Sequence, residues 1–172
     1  MNPQDDAQAA KWYRLAADQG NASAQFRLGA MYFSGKGVPR DYAEAAKWFR
    51  LAADQGVVRA QYNLGAMYAN GQEGVPQDDV QAVKWFRLAA DQGFAQARYS
   101  LGVMYEHGRG VPQDDVQAHM WFNLAAAQGD ENGKKGRDRV EKNMTPQQIA
   151  QAQELARNWK PKVYLLKRPP QG

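Results

Sequence analysis

The stretch Tyr42-Ala43-Glu44-Ala45-Ala46-Lys47-Trp48-Phe49-Arg50-Leu51-Ala52-Ala53-Asp54-Gln55-Gly56 decides the fold, because the chain carries four versions of it. Each version contains a tryptophan, a second aromatic residue, a leucine, two alanines and a closing Gln-Gly pair. The tryptophans lie 36, 37 and 36 residues apart, at Trp12, Trp48, Trp85 and Trp121. A fixed period of this length is typical of repeat proteins, in which each unit buries its apolar face against its neighbours.

The tryptophan segment predicts an amphipathic helix, which we call helix B. Ala45, Trp48, Phe49 and Ala52 have the i, i+3, i+4, i+7 spacing of one buried helix face. An aspartate stands before each complete segment, as Asp78 does, and a carboxylate there caps the free amides of a helix start. We therefore expect the tryptophans to be buried between helices.

A second helix, which we call helix A, precedes each complete helix B. Its apolar stripe consists of an alanine, a leucine and a tyrosine spaced four residues apart, as in Ala24, Leu28 and Tyr32. Gly29 lies inside this helix, where glycine costs about 1 kcal/mol relative to alanine. We expect the glycine to allow close approach of helix B. Helix A ends in a glycine loop, and the middle loop, 71–76, has one residue more than the other two.

The two ends depart from the repeat. Residues 2–6 align with 75–79, so the first repeat is expected to lack its helix A, through truncation or as a naturally incomplete repeat. The helix B at this end should then expose an apolar face, which invites self-association. That face consists of Ala9, Trp12, Tyr13 and Ala16.

After Gly129 the repeat pattern fails. Residues 130–142 predict a more exposed, loosely packed helix. Thr145-Pro146-Gln147-Gln148 predicts a new helix start, with a threonine cap, a proline at the first helical position and a glutamine that completes a capping box. The predicted organisation is repeats over 1–143, a C-terminal capping helix over 144–160 that closes the last core face, and a tail over 161–172.

Composition indicates an all-α protein and limits the partners. The net charge is +4, and the 22 basic and 18 acidic residues are interleaved, which favours solvated helix faces over a nucleic-acid surface. No apolar run approaches the roughly 20 residues of a membrane span. The chain has no cysteine, so disulfides are excluded.

The motifs A-x-x-x-L-G-x-x-Y, G-x-G-V-P, A-x-x-W-F and L-A-A-x-x-G resemble the SEL-one-like repeat (SLR) family, a relative of the tetratricopeptide repeats. The resemblance covers about residues 3–129. It implies a right-handed α-α superhelix of helix pairs that acts as a protein-binding scaffold without a cofactor. It also implies a bacterial protein that is periplasmic or secreted, with the cytoplasm as the alternative.

No set of residues predicts catalysis. Some SLR proteins are linked to β-lactam chemistry, which uses a Ser-x-x-Lys arrangement. None of Ser23, Ser34 and Ser100 is followed by lysine three positions on. His107 and His119 are interpreted as surface histidines rather than metal ligands. We therefore predict that the protein is not an enzyme. The alternatives are a β-lactam-binding hydrolase and a self-assembling structural module.

The variable positions on helix A predict the binding site. Alignment with the tetratricopeptide helix puts these positions toward a concave groove, where they are free to specify a protein or peptide partner. Phe26, Tyr62 and Tyr99 would form an aromatic ladder there, or would instead pack between adjacent helices A. Arg59, Asn63 and Asn70 would bind the partner's backbone or carboxylates. The full predicted set is Ser23, Phe26, Arg27, Phe33, Arg59, Tyr62, Asn63, Asn70, Gln96, Tyr99, Ser100, Glu106 and His107.

Overall fold

A computed structural model describes residues 3–161, and nine α-helices make up most of this range. This confirms the predicted all-α class and the predicted number of helices. A short 3-10 helix, Glu141–Asn143, follows the eighth. The α-helices are α1 (Pro3–Asp18), α2 (Ala22–Ser34), α3 (Tyr42–Asp54), α4 (Val58–Asn70), α5 (Asp79–Asp91), α6 (Ala95–His107), α7 (Asp115–Ala126), α8 (Glu131–Val140) and α9 (Pro146–Asn158).

The described chain divides into two compact units, with the boundary between Gln77 and Asp78. In the first unit, each of α1, α2 and α3 packs on the helix that follows it. In the second unit, α5 packs on α6, α6 packs on α7, and α7 packs on both α8 and α9. The short loops explain why successive helices pack as pairs. The predicted tail lies outside the described residues apart from its first residue.

The predicted helix starts are confirmed. The side chains of Asp41, Asp78 and Asp114 each accept a hydrogen bond from the backbone N–H three residues on. At the start of α9, Thr145 and Gln148 form a reciprocal capping box. These bonds satisfy amides that a helix leaves without partners in its first turn.

The tryptophans are buried in the complete repeats and exposed in the first one. Trp48, Trp85 and Trp121 are at most 4% exposed, whereas Trp12 is 64% exposed. Burial therefore holds for the complete repeats, and Trp12 is exposed, as predicted for a helix B without its helix A. Its counterpart Trp48 packs against a cluster that α1 and α2 supply, and no described helix precedes α1 to cover Trp12 in the same way.

The apolar face of α1 differs from the predicted one. Tyr13 and Ala16 pack against the cluster around Trp48 and are only partly exposed. The large apolar side chains that α1 exposes are Trp12 and Leu15. The predicted apolar face included Trp12 but not Leu15.

The glycine inside helix A has the packing role that the sequence predicted. A Cβ atom on Gly29 would lie 2.7 Å from Cδ1 of Phe49, which is closer than carbon atoms pack. Gly102 meets the ring of Phe122 in the same way. The absence of a side chain lets the phenylalanine of helix B lie directly against the backbone of helix A.

α8 is exposed in its side chains but is not loosely packed, so that part of the prediction is wrong. Its buried residues are Gly133, Gly136 and Val140. A Cβ atom on Gly136 would lie 2.8 Å from the ring of Phe122. The backbone of α8 itself therefore packs closely against α7.

A buried polar side chain joins each helix A to the end of the preceding helix B. Gln25 Nε2 donates to the carbonyl oxygen of Ala17 at 3.2 Å, and Gln61 Nε2 donates to that of Ala53 at 3.1 Å. Such bonds satisfy carbonyl groups at a helix end. The repeat pattern gave no indication of this role for the glutamines.

Arg98 takes this position in α6 and makes more contacts than glutamine can. Its Nε donates to the Ala90 carbonyl at 3.3 Å, and its Nη1 donates to Oε1 of Gln128 at 2.8 Å. Its guanidinium carbon also lies 4.3 Å from the ring centroid of Trp159, directly after α9. Burial lowers the pKa of Arg98, and the charge of Asp91 partly opposes this shift.

Candidate functional site

The first unit contains a cleft of about 130 Å³, which we call the α4 cleft. Three helices and the long glycine loop contribute to it. Its lining residues are Phe33, Phe49, Asn63, Ala66, Met67, Asn70 and Gln72. Three of the residues predicted to bind a partner, Phe33, Asn63 and Asn70, therefore lie together.

The floor of the α4 cleft is apolar and rigidly held. Phe49 is 1% exposed and Met67 is 2% exposed. Phe49 is fixed from the other side by the backbone at Gly29. Phe33 forms one wall; it is 41% exposed, and its ring centroid lies 5.3 Å from that of Tyr42 in an edge-on arrangement. The floor is therefore already closely packed, and Phe33 provides exposed apolar surface beside it.

Two carboxamides border this floor. Asn63, Ala66 and Asn70 line the cleft together with the buried Met67, so the two asparagines lie on the side of α4 that carries Met67. The two asparagines are seven residues apart, so they lie about 10 Å apart along the helix axis. Neither side chain forms a hydrogen bond with any residue in the range 3–161. Their donors and acceptors are available to a ligand.

Gln72 reaches the cleft because of the extra residue in its loop. Its backbone N–H and C=O pair with those of Val75, at 2.8 Å in both directions. This tight turn follows Gly71, which ends α4 with a φ of +65°. The extra residue is visible in the sequence, but its relation to a cleft is not.

The remaining predicted residues of the first unit lie outside the α4 cleft. Ser23, Arg27 and Arg59 are exposed. Phe26 is half-buried, with its ring centroid 5.8 Å from that of Phe49, and Tyr62 is also half-buried. The stacking of Phe26 on helix B is a contact that neither interpretation of the aromatic ladder included.

The predicted residues of the second unit differ in exposure and in the contacts that they make. Tyr99 is half-buried against Phe122, at 5.7 Å between ring centroids. Both carboxylate oxygens of Glu106 accept hydrogen bonds from Arg139, at 2.7 and 2.6 Å. This bond is the main reason that the pKa of Arg139 is raised. Glu106 therefore fixes α8 to α6. Gln96 and His107 are exposed, and Ser100 is half-buried.

The histidine interpretation is half right. His107 is exposed, but His119 is fully buried, so the prediction of a surface histidine is wrong there. Its Nε2 lies 2.7 Å from Oε1 of Glu141, which connects α7 to the short helix after α8. The equivalent residues in the earlier repeats are Ala46 and Val83, so the repeat pattern carried no sign of this contact. No cluster of three or more metal-ligating side chains occurs within residues 3–161.

The serines are not arranged as activated nucleophiles among the described contacts. Ser34 Oγ donates to the carbonyl oxygen of Ala30 at 2.8 Å, within its own helix.

No helix between residues 3 and 161 is both long enough and apolar enough to cross a membrane.

Comparison with known proteins identifies the repeats. The model of the Sel1 repeat matches residues 3–21, 22–57, 58–94 and 95–130, which together exceed half of the chain. The chain belongs to the Sel1 repeat family. The last three matches coincide with the pairs α2–α3, α4–α5 and α6–α7, and the first covers α1 alone.

Solved structures agree with this assignment. A Sel1 repeat protein from Oxalobacter formigenes is 44% identical over 74% of this chain and 95% of its own, with a TM-score of 0.67. A protective antigen present in uropathogenic Escherichia coli strains, which displays an SLR fold, is 33% identical over 86% of this chain and 39% of its own, with a TM-score of 0.65.

A more distant structure shares the fold alone. The Helicobacter pylori cysteine rich protein B is 20% identical over 78% of this chain and 96% of its own, with a TM-score of 0.61. No curated protein matches the chain. Sel1 repeat proteins are generally protein-interaction scaffolds, and their all-α solenoid fold is the one expected from the repeat period.

Proposed function

We propose that this Sel1 repeat chain is a non-enzymatic scaffold that binds a segment of a partner protein in the α4 cleft. One observation carries the proposal. Asn63 and Asn70 border an apolar floor, and their carboxamides form no hydrogen bond with the described residues. Sequence variation between repeats and the geometry of the first unit thus point to the same side chains.

The chemistry of the α4 cleft suits an extended peptide. A carboxamide donates and accepts hydrogen bonds, so each asparagine can pair with a backbone C=O and N–H of a bound segment. The apolar floor takes a side chain of that segment. A few polar groups around an apolar pocket are the usual composition of a binding site.

Affinity capture with matched variants tests the proposal. The whole chain, immobilised, captures partners from lysate, and the bound proteins are compared with those captured by an Asn63→Ala/Asn70→Ala variant. We expect the specific partner to be lost, because the variant removes both carboxamides without touching the buried face of α4. The free energy of unfolding should stay within about 0.5 kcal/mol of the wild-type value, as is usual for surface substitutions.

The matched control is Asn132→Ala/Asn158→Ala, which removes two exposed asparagines from α8 and α9. This control should capture the same partner as the wild type. Equal capture by the cleft variant and the control would contradict the proposal and would move attention to the outer faces of the B helices. Turnover of nitrocefin by the wild type, lost on replacement of Ser23, Ser34 or Ser100, would favour the hydrolase alternative.

A further inference from the structure

The ligand of the α4 cleft can be specified further from size, charge and spacing. We infer that it is an extended peptide with an aliphatic side chain, leucine, isoleucine or methionine, and an acidic residue about three positions away. This inference rests on the proposed function. It adds the chemical class of the segment that the cleft selects.

The size of the α4 cleft determines which apolar side chain of a bound peptide fits into it. Its volume of about 130 Å³ is close to that of an apolar cavity of about 150 Å³, which holds one benzene molecule. One aliphatic side chain of medium size therefore fits, whereas the two rings of a tryptophan do not. Ala66 is one of the lining residues, and its small side chain takes up little of this space.

The charges on the neighbouring helices determine the charge of the second residue in the bound peptide. Neither α2 nor α4 contains an aspartate or a glutamate, and each carries one exposed arginine, Arg27 and Arg59. Neither arginine forms an ion pair with a described residue. The α4 cleft itself is lined by uncharged residues. α3, which supplies Phe49, carries two acidic and two basic residues and adds no net charge, and the loop adds one exposed carboxylate, Glu73. The two arginines outweigh that carboxylate, so the surroundings of the cleft favour an acidic segment over a basic one.

The geometry of α4 sets the spacing. Arg59, Asn63, Ala66 and Asn70 follow one another at intervals of three or four residues and so lie along one side of the helix. Arg59 is about 10 Å from Ala66 along the axis, at 1.5 Å per residue. An extended peptide covers this distance in about three residues, at roughly 3.3 Å each. A carboxylate three positions from the aliphatic residue then reaches Arg59.

A display library tests this inference. Random nonapeptides on phage are selected on the immobilised whole chain, and the selected peptides are synthesised and measured by fluorescence anisotropy. We expect enrichment of peptides with Asp or Glu three positions from Leu, Ile or Met, in either chain direction. Their binding should weaken as salt increases, because exposed charges are screened.

Variants separate the parts of the inference. Arg59→Gln should weaken binding of an enriched peptide by about fivefold, the upper end for an exposed ion pair. The difference should vanish for the same peptide with its acidic residue changed to the amide. Arg157→Gln, which removes an exposed arginine from α9, serves as the control and should leave binding unchanged.

The outcomes are distinguishable. If the selected peptides need Asn63 and Asn70 but show no acidic preference, or a basic one, the inference is wrong and the proposed function survives. If no selected peptide loses affinity in the Asn63→Ala/Asn70→Ala variant, both are wrong. Acidic peptides that respond equally to Arg59→Gln and Arg157→Gln would also overturn the assignment of the carboxylate to Arg59.

Discussion

Trp12 and Trp48 are the same side chain at the same position of the repeat, yet 64% of one is exposed and 4% of the other. The difference comes entirely from what covers them, because Trp48 packs against Ala17, Ala24 and Leu28. The burial of a repeat residue is therefore a property of its neighbours as well as of its own helix.

Replacement of Trp12 and of Trp48 should lower the free energy of unfolding by very different amounts. We expect Trp48→Ala to lower the free energy of unfolding by about 3–5 kcal/mol, because it leaves a cavity in the core. Trp12→Ala should change it by about 0.5 kcal/mol, as for other surface substitutions. Urea denaturation of both variants measures the difference, and similar losses would contradict the burial described here.

A second prediction at the residue scale concerns Gly29. Gly29→Ala should lower the free energy of unfolding by about 1–3 kcal/mol, because the new Cβ atom overlaps the ring of Phe49. We expect this loss although alanine stabilises a helix by about 1 kcal/mol relative to glycine.

A double-mutant cycle isolates that contact. Gly29→Ala should cost less in a Phe49→Leu background, since the smaller side chain leaves room for the methyl group. The expected interaction energy is about 0.5 kcal/mol or more. Additive effects of the two substitutions would show that the close approach of Phe49 is not the cause.

Residues that depart from the repeat were the hardest to predict. Gly29 recurs in every helix A, so its packing role was predictable from the sequence. His119 and Arg98 each occur once at their positions, and they contact Glu141 and Trp159, which follow no period. Gln72 belongs to the glycine loop that has an extra residue. A single departure from a repeat shows that something differs but does not identify the partner.

At the scale of elements, the helices and their caps were predicted well, and the packing of the last ones less well. α9 begins where its capping box predicts, at Pro146. α8 was expected to pack loosely because polar residues replace its apolar ones. Its glycines, Gly133 and Gly136, instead bring its backbone against α7, which a count of apolar residues does not reveal.

The attachment of α9 gives a prediction at this scale. Arg98→Gln introduces the residue that Gln25 and Gln61 provide in the earlier repeats, and it removes the guanidinium from the ring of Trp159. We expect faster amide hydrogen exchange in α9, corresponding to a loss of about 1–2 kcal/mol for a desolvated cation–π contact.

The control for this variant lies in the first unit. Exchange in α2 and α4 should be unchanged, because Arg98 contacts neither helix within the described residues. Unchanged protection of α9 would show that its other contacts with α7 are sufficient to hold it.

At the scale of the whole chain, the resemblance of the repeat motifs was sufficient to predict the family, and composition indicated the all-α class. The position of the α4 cleft was predictable only in part. Variable positions on helix A included Phe33, Asn63 and Asn70, but the floor is built from residues that the repeat keeps constant, such as Phe49. The compartment stays a prediction from the family.

Self-association also stays a prediction. The exposed apolar side chains of α1 are reduced to Trp12 and Leu15, so any association through α1 should depend on them. Light scattering at two concentrations, with Trp12→Ser/Leu15→Ser beside the wild type, tests this. A concentration-dependent mass that the variant retains would exclude this face.

The central claim is that the carboxamides of the α4 cleft contact a bound peptide, and nuclear magnetic resonance tests it most directly. A peptide selected on the whole chain is titrated into ¹⁵N-labelled protein, and the side-chain NH₂ resonances are followed. The account predicts large shifts for Asn63 and Asn70 and none for Asn132 and Asn158. Shifts confined to the exposed residues of α3 and α5, with Asn63 and Asn70 unchanged at saturation, would contradict it.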